Sequence, residues 1–273
     1  MSQKYVIKFN GEEEVFSDKK VYQSARRVGA PERLAREISQ AVGKEAYSGI
    51  KTSEIFSQVR QMLKQEAPEA ALRFNLKKAI RKLGPTGFPF EKYIGEILSN
   101  QGYQIKLNQI IPGFCCEYEI DFIAQKNSFF YIGECKYRNL FDGKVHSKDA
   151  LANYARFLDI SRGGFFKNKK LKSLLVTNTK FTSRAVNYSQ CVGVELLGWK
   201  YPGNRGLEYL IEKKKLYPIT ILPSLNKYLA EILAQKGIML AKDFLEPARV
   251  IRKTKLSEKE LNLLLKQARL LLG

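Results

Sequence analysis

Two acidic residues and a lysine occupy neighbouring segments that have the composition of β-strands. Asp121 lies in residues 119–125, and Glu134 and Lys136 lie in residues 129–137, after a short polar turn. Side chains two residues apart on a strand point to the same face, so Glu134 and Lys136 should share a face, and a tight hairpin would bring Asp121 beside them. Carboxylates hold Mg²⁺ at a phosphate, and an ammonium can orient the attacking water. The pattern indicates metal-dependent hydrolysis of a phosphodiester.

The overall charge favours a polyanionic partner for this chemistry. The 273 residues include 47 Lys and Arg against 27 Asp and Glu, a formal net charge of +20. Such basicity is typical of proteins that bind nucleic acid or other polyanions. The single histidine, His146, excludes sites built from several histidines. Catalysis would therefore depend on carboxylates, lysines and hydroxyls.

An exposed ion pair is the alternative interpretation of Glu134 and Lys136, because acidic and basic residues often alternate on a solvated strand. The surrounding residues argue against it. Residues 129–135 are otherwise mostly apolar, and an unpaired charge is expensive to bury in such a strand. A matching acid on the preceding strand, Asp121, also favours a functional site.

The elements that must position these residues form an α/β (α+β) pattern. Before them, residues 90–101 predict a helix and residues 104–111 an extended segment. After them, the pattern predicts helices and strands in alternation, at residues 147–158, 171–177, 183–191 and 194–197. A central mixed sheet flanked by helices is therefore expected.

The flanking regions are predicted to be mainly helical. Asn10-Gly11 predicts a hairpin between strands at residues 4–9 and 12–16, with helices to about residue 83. A Gly and Pro cluster at residues 84–87 marks the best boundary. Three domains are expected, at residues 1–86, 87–221 and 222–273, the last being helical and used for DNA contact or oligomerisation.

Residues 88 to 200 resemble the Mrr-like restriction endonucleases of the PD-(D/E)xK fold. The resemblance includes Phe90-Glu91 at the start of the leading helix, the Asp121 and Glu134-x-Lys136 pattern, and the later segment 174–185. It implies that Asp121 and Glu134 are ligands of Mg²⁺ or Mn²⁺, that Lys136 is the catalytic lysine, and that Glu91 is an auxiliary catalytic ligand. Ile120 stands where many members have proline.

Residues 3 to 84 resemble the ATP-cone, a regulatory nucleotide-binding module. The resemblance includes residues 6–11, 15–20 and 49–55 in the same order and spacing. It implies that ATP or dATP binds as an allosteric effector. The residues implied in phosphate, sugar or base contacts, or in closing the site, are Lys8, Lys20, Thr52, Glu14, Ser17, and Arg81 or Lys82. A general basic face that contacts nucleic-acid backbone is the alternative for Lys8 and Lys20.

Together these patterns predict a Mg²⁺-dependent endonuclease that acts on double-stranded DNA and is regulated by ATP or dATP. A homodimer or higher homo-oligomer is expected. The alternatives are a nucleotide-responsive DNA-binding regulator that does not cleave, and an RNA-processing or repair nuclease. No apolar signal segment or membrane span is visible, so a cytoplasmic protein without membrane association is expected.

Overall fold

The computed structural model describes residues 3–84, 88–140 and 143–273, and these form two compact units. The first contains the described residues up to 79 together with 219–226 and 241–273, and the second contains the described residues between 80 and 218 together with 227–240. The predicted α/β (α+β) class with a central mixed sheet is confirmed. The predicted boundary at 86–87 lies outside the described residues. No helix in the described ranges is long and apolar enough to cross a membrane.

A small sheet and a layer of helices form the N-terminal part of the first unit. Strand β1 (Tyr5–Ile7) pairs antiparallel with β2 (Glu13–Val15) and parallel with β3 (Ile50–Lys51). Gly11 has φ +83°, which the tight turn between β1 and β2 requires. The helices are α1 (Asp18–Arg27), α2 (Glu32–Glu45), α3 (Thr52–Glu66) and α4 (Pro68–Phe74), followed by α5 (Leu76–Arg81), whose last two residues belong to the second unit.

The helices of the first unit bury one apolar face each. On α2, Leu34, Ile38 and Val42 recur every four residues and are at most 1% exposed, as an amphipathic helix packed on one side requires. At the start of α1, the Ser17 hydroxyl accepts from the Lys20 N–H at 3.3 Å and caps the helix. This cap fixes the position of Lys20 relative to the small sheet.

A five-stranded sheet forms the centre of the second unit, in the order β10-β8-β6-β5-β4. Strands β4, β5 and β6 are antiparallel, whereas β6, β8 and β10 are parallel and are joined through helices. The elements of this unit are α6 (Phe88–Ser99), β4 (Gln104–Pro112), β5 (Glu117–Lys126), β6 (Phe129–Lys136), β7 (Lys144–Val145), α7 (Ser147–Arg162), β8 (Lys170–Thr177), β9 (Lys180–Phe181), α8 (Ser183–Val192), β10 (Val194–Leu197), α9 (Leu207–Lys213) and α10 (Lys227–Gln235).

Close packing holds β5 against β6 and α7 against the sheet. A Cβ atom at Gly133 would lie 2.1 Å from the ring of Phe122, so only glycine fits opposite that ring. On the helix side, Ile160 of α7 is fully buried in a cluster with Ile123 and Ile132. These contacts leave little freedom for the two strands that carry the predicted acids.

The C-terminal residues complete the first unit. After 3-10 turns at Ile219–Ile221 and Ala241–Leu245, the chain forms α11 (Pro247–Lys253) and α12 (Glu258–Leu272). Helix α12 packs against α4, and Arg73 donates from Nε and Nη2 to the Leu271 carbonyl at 3.1 and 3.0 Å. The predicted domain at 222–273 is therefore shared between the two compact units, because residues 227–240 pack in the second. Its predicted roles in DNA contact or oligomerisation stay predictions.

Candidate functional site

The hairpin of β5 and β6 brings together the three residues that define the predicted catalytic motif. Phe122 pairs with Gly133, so Asp121 lies at the level of Glu134 on the neighbouring strand. The Asp121 Oδ2 atom accepts from the Cys135 N–H at 2.6 Å, and Lys136 Nζ donates to Glu134 Oε1 at 2.5 Å. The predicted arrangement of two acids and a lysine on adjacent strands is present.

Glu134 is the most buried of these groups and is held by two cations. The residue is 6% exposed, and its Oε2 atom accepts from the guanidinium of Arg156, which α7 contributes. A carboxylate with so little water requires such partners. Arg156 was not predicted from the sequence. The available signal was its position four residues before the buried Ile160 on α7, which places both on the same helical face.

Glu91 and Asp121 experience the negative charge of the other carboxylates. Burial, reinforced by Asp121 and Glu134, raises the pKa of Glu91 to about 7. Burial and the charge of Glu134 raise the pKa of Asp121 to about 6, against the opposing effects of the Cys135 N–H, Lys136 and Arg156. Helix α6 thus supplies a third carboxyl group to this region, as predicted for Glu91.

The carboxylates of this region are the ligands that a hard divalent cation prefers. Fewer of them are grouped together than the three that were predicted. Among the described residues, no three or more His, Cys, Asp or Glu side chains are grouped so that they could hold a metal ion. The predicted set of Asp121, Glu134 and Glu91 therefore does not form a ready three-ligand cluster. Mg²⁺ commonly uses one or two carboxylates and completes its octahedron with water and substrate phosphate. Asp121 and Glu134, which lie opposite each other on β5 and β6, are the two carboxylates that such a site would use.

Polar side chains at the end of β8 fix the chain as it leaves β6. The Thr177 hydroxyl donates to the Lys136 carbonyl at 2.7 Å. The Asn178 side chain accepts from the Arg138 N–H at 2.8 Å and donates to the Arg138 carbonyl at 2.9 Å. Both residues are at most 2% exposed. Their role is to hold the backbone on both sides of residue 137, directly after the lysine.

A cavity of about 270 Å³ in the first unit is lined by four of the residues that were predicted to bind a nucleotide. Its polar wall includes Glu14, Ser17, Lys20 and Thr52. The remaining wall is formed by Ser24 and by apolar side chains, namely Val6, Val15, Phe16, Val21, Ile55, Phe56, Val59 and Phe74. Phe56 and Phe74 stack with ring centroids 4.6 Å apart. The cavity wall thus combines apolar side chains with one carboxylate and one lysine.

Glu14 links the predicted phosphate-binding lysines. Lys8 Nζ lies 2.9 Å from Glu14 Oε2, and Lys20 pairs with the other oxygen of the same carboxylate. Arg81 and Lys82 are not part of the cavity wall and belong to the second unit, where Arg81 Nε donates to the Asn139 carbonyl at 2.7 Å. Because neither residue lines the cavity, the closing role of Arg81 or Lys82 stays a prediction.

Comparisons with known proteins identify relatives without an assigned function. The chain is 36% identical over 183 residues to an uncharacterised protein of Archaeoglobus fulgidus. The matched region covers 66% of this chain and all of that protein. The crystal structure of AF1548, a protein of unknown function, matches with a TM-score of 0.59 and 33% identity, over 67% of this chain and 97% of that chain. The family described as AF1548-like, C-terminal, matches residues 217–272. The chain therefore belongs to the AF1548-like family.

Proposed function

We propose that the second unit is a Mg²⁺-dependent endonuclease that cleaves DNA. The observation that carries this proposal is the juxtaposition of Asp121, Glu134 and Lys136 on β5 and β6, with the ammonium 2.5 Å from the Glu134 carboxylate. Two carboxylates beside a lysine provide the groups that phosphodiester hydrolysis needs, without any histidine. The Mrr-like resemblance points to the same reaction.

Each residue has a specific role in this proposal. Asp121 and Glu134 would hold Mg²⁺, or Mn²⁺ in its place, and Glu91 would contribute through its nearby carboxyl group. The bound ion supplies positive charge at the scissile phosphate. Lys136 orients the attacking water, and the hydrogen bonds of Thr177 and Asn178 hold the backbone that carries this lysine.

The charge favours a nucleic-acid substrate, and the Mrr-like resemblance favours double-stranded DNA. The net charge of +20 provides a long-range attraction to phosphate. Lysines also lie beside aromatic rings at the start of β6, where the Lys172 ammonium is 5.0 Å from the centre of the Phe129 ring. A homodimer would cut both strands. An RNA substrate, or DNA binding without cleavage, would be recognised as distinct outcomes of the experiment below.

We also propose that the first unit binds ATP or dATP and regulates cleavage. The support is the cavity that joins Lys20, Ser17 and Thr52 to an apolar wall, with Lys8 linked through Glu14. Ammonium groups and the N–H groups at a helix start are suited to a triphosphate, and the apolar wall is suited to a base.

A cleavage assay tests the nuclease proposal. Plasmid DNA, single-stranded DNA and RNA are incubated with Mg²⁺ or Mn²⁺, and wild type is compared with Asp121→Asn and Lys136→Met. The matched control is Glu117→Gln, which removes an exposed carboxylate from the same strand as Asp121. We expect both site variants to lose at least about 100-fold in rate and the control to retain wild-type cleavage. Equal cleavage by all four proteins would overturn the assignment.

Nucleotide binding is tested separately by calorimetry with ATP and dATP. Lys20→Ala should weaken binding by about tenfold or more, since it removes a cation from the cavity wall. Lys19→Ala is the matched control, because it removes the neighbouring lysine, which is not part of that wall. No heat of binding by wild type, or equal loss in the two variants, would contradict the proposal. Cleavage rates with and without nucleotide then measure regulation.

A further inference from the structure

A second cation, from a different element, reaches the proposed active site. Lys136 belongs to the same strand as Glu134, but Arg156 is contributed by α7 and contacts the other carboxylate oxygen. Glu134 thus has both oxygens engaged by positive groups, although its side chain is only 9% exposed. A single cation equals the charge of this one carboxylate, and Arg156 also lies close enough to act electrostatically on Asp121.

The position of Arg156 is fixed by buried neighbours on α7. Three residues earlier, the Asn153 amide donates to the Ser173 hydroxyl of β8 at 2.7 Å, and both groups are buried. Four residues later, Ile160 is fully buried against the sheet. Helix α7 is therefore anchored to the sheet on both sides of Arg156, so the guanidinium is preorganised beside the carboxylates.

Besides the Nη1 contact with Glu134, the guanidinium has no hydrogen-bond partner among the described residues, and it lies 5.9 Å from the centre of the Tyr118 ring. Arg156 retains 27% of its side-chain exposure, and Nη1 is the atom that meets Glu134. A guanidinium has five N–H donors in a planar fork, which matches the oxygens of a phosphate as well as those of a carboxylate. Glu134 therefore occupies only part of its binding capacity.

We propose that Arg156 is the phosphate-binding residue of this site. This proposal rests on the proposed nuclease function. In it, the guanidinium of Arg156 binds a phosphate of the strand that is cleaved. Before DNA binds, Arg156 pairs with Glu134. When Glu134 turns to a metal ligand role, the guanidinium contacts the DNA phosphate, and Lys136 keeps its place at the attacking water. No covalent change in the protein is involved.

The test compares Arg156→Gln and Arg156→Lys with Arg162→Gln. Arg162 is the matched control because it is an exposed arginine on the same helix. Its guanidinium carbon lies 4.8 Å from the centre of the Phe114 ring. We expect Arg156→Gln to reduce cleavage about 100-fold, Arg156→Lys to reduce it about tenfold because a lysine lacks the planar fork, and Arg162→Gln to stay within about threefold of wild type.

Binding of a duplex in Ca²⁺, without cleavage, gives a second readout that a purely structural role would not change. The slope of log K against log salt should fall by about one in magnitude for Arg156→Gln and remain unchanged for Arg156→Lys. Thermal melts verify that each variant is folded. If Arg156→Gln does not fold, Arg156→Lys, which keeps the ion pair, decides the matter through its cleavage rate.

Three results are distinguishable. An unchanged salt slope and near wild-type cleavage in Arg156→Gln, with Asp121→Asn inactive, would overturn this inference alone. If Arg156→Gln does not fold, cleavage by Arg156→Lys at the wild-type rate would likewise overturn this inference alone. A wild-type protein that cuts no nucleic acid would overturn the proposed function and, with it, the role of Arg156.

Discussion

Glu91 is expected to make the protein less stable as the pH rises through neutrality. Burial and the nearby carboxylates raise its pKa to about 7 from an ordinary 4.5. Below pH 4.5 the group is protonated in both the folded and unfolded states and has no effect. Between 4.5 and 7 the unfolded chain releases the proton while the folded chain retains it, so each rise in pH favours unfolding.

The magnitude follows from the separation of the two pKa values. At about 1.4 kcal/mol for each pH unit between them, the upper limit is about 3.5 kcal/mol, and solvent screening of a partly exposed group reduces this to about 1–2 kcal/mol. Glu91→Gln cannot ionise. It should therefore be more stable than wild type by about 1–2 kcal/mol at pH 8 and nearly equal to it at pH 5.

Urea unfolding in EDTA at pH 5, 6, 7 and 8 measures this difference. Tyrosine fluorescence and circular dichroism are recorded together, so that separate unfolding of the two compact units is recognised. Glu117→Gln is the control, because it removes an exposed carboxylate from β5. A difference between Glu91→Gln and wild type that stays constant from pH 5 to pH 8 would refute the reasoning, as would lower stability of the variant at pH 8.

The remaining predictions concern packing, the strand end and the pH dependence of cleavage. Gly133→Ala should destabilise the protein by about 2–3 kcal/mol, since its Cβ would lie 2.1 Å from the Phe122 ring, and an unchanged melting temperature would contradict this packing. Asn178→Ala should lower stability by about 1–2 kcal/mol, because two partly buried backbone groups of Arg138 lose their partners; urea unfolding measures it, and a loss under 0.5 kcal/mol would exclude that role. Cleavage with Mg²⁺ should rise between pH 5 and 8, because a carboxylate holds the metal only when ionised and the pKa of Asp121 is raised to about 6, and a flat pH profile would count against its participation.

Local patterns were sufficient to predict much of the fold and the centre of the site. Asn10-Gly11 marked a hairpin because few residue pairs adopt that turn, and the spacing of Glu134 and Lys136 on an apolar strand placed both on one face. Asp121 followed from the turn that reverses the chain before β6. Each of these inferences uses residues close in sequence, where strand or helix geometry alone fixes the side-chain direction.

Contacts between distant segments could not be predicted in the same way. Arg156 reaches Glu134 only because α7 crosses the sheet, and no local pattern reports where that helix lies. The short strands β3, β7 and β9 are held by pairing with remote partners and have no period long enough to detect. Within the C-terminal region that was predicted to be helical, Ala241–Leu245 form a short 3-10 helix, whose tighter turns bury the same apolar residues.

The contact between Arg73 and the Leu271 carbonyl has a consequence for synthesis of the protein. A ribosome extends the chain by about 5–20 residues per second, and folding of a unit can begin once its residues have emerged. Here α4 must wait for α12, which is made nearly two hundred residues later. The first unit therefore closes after translation of the second, and until then α4 has its packing against α3 but lacks its contacts with α12.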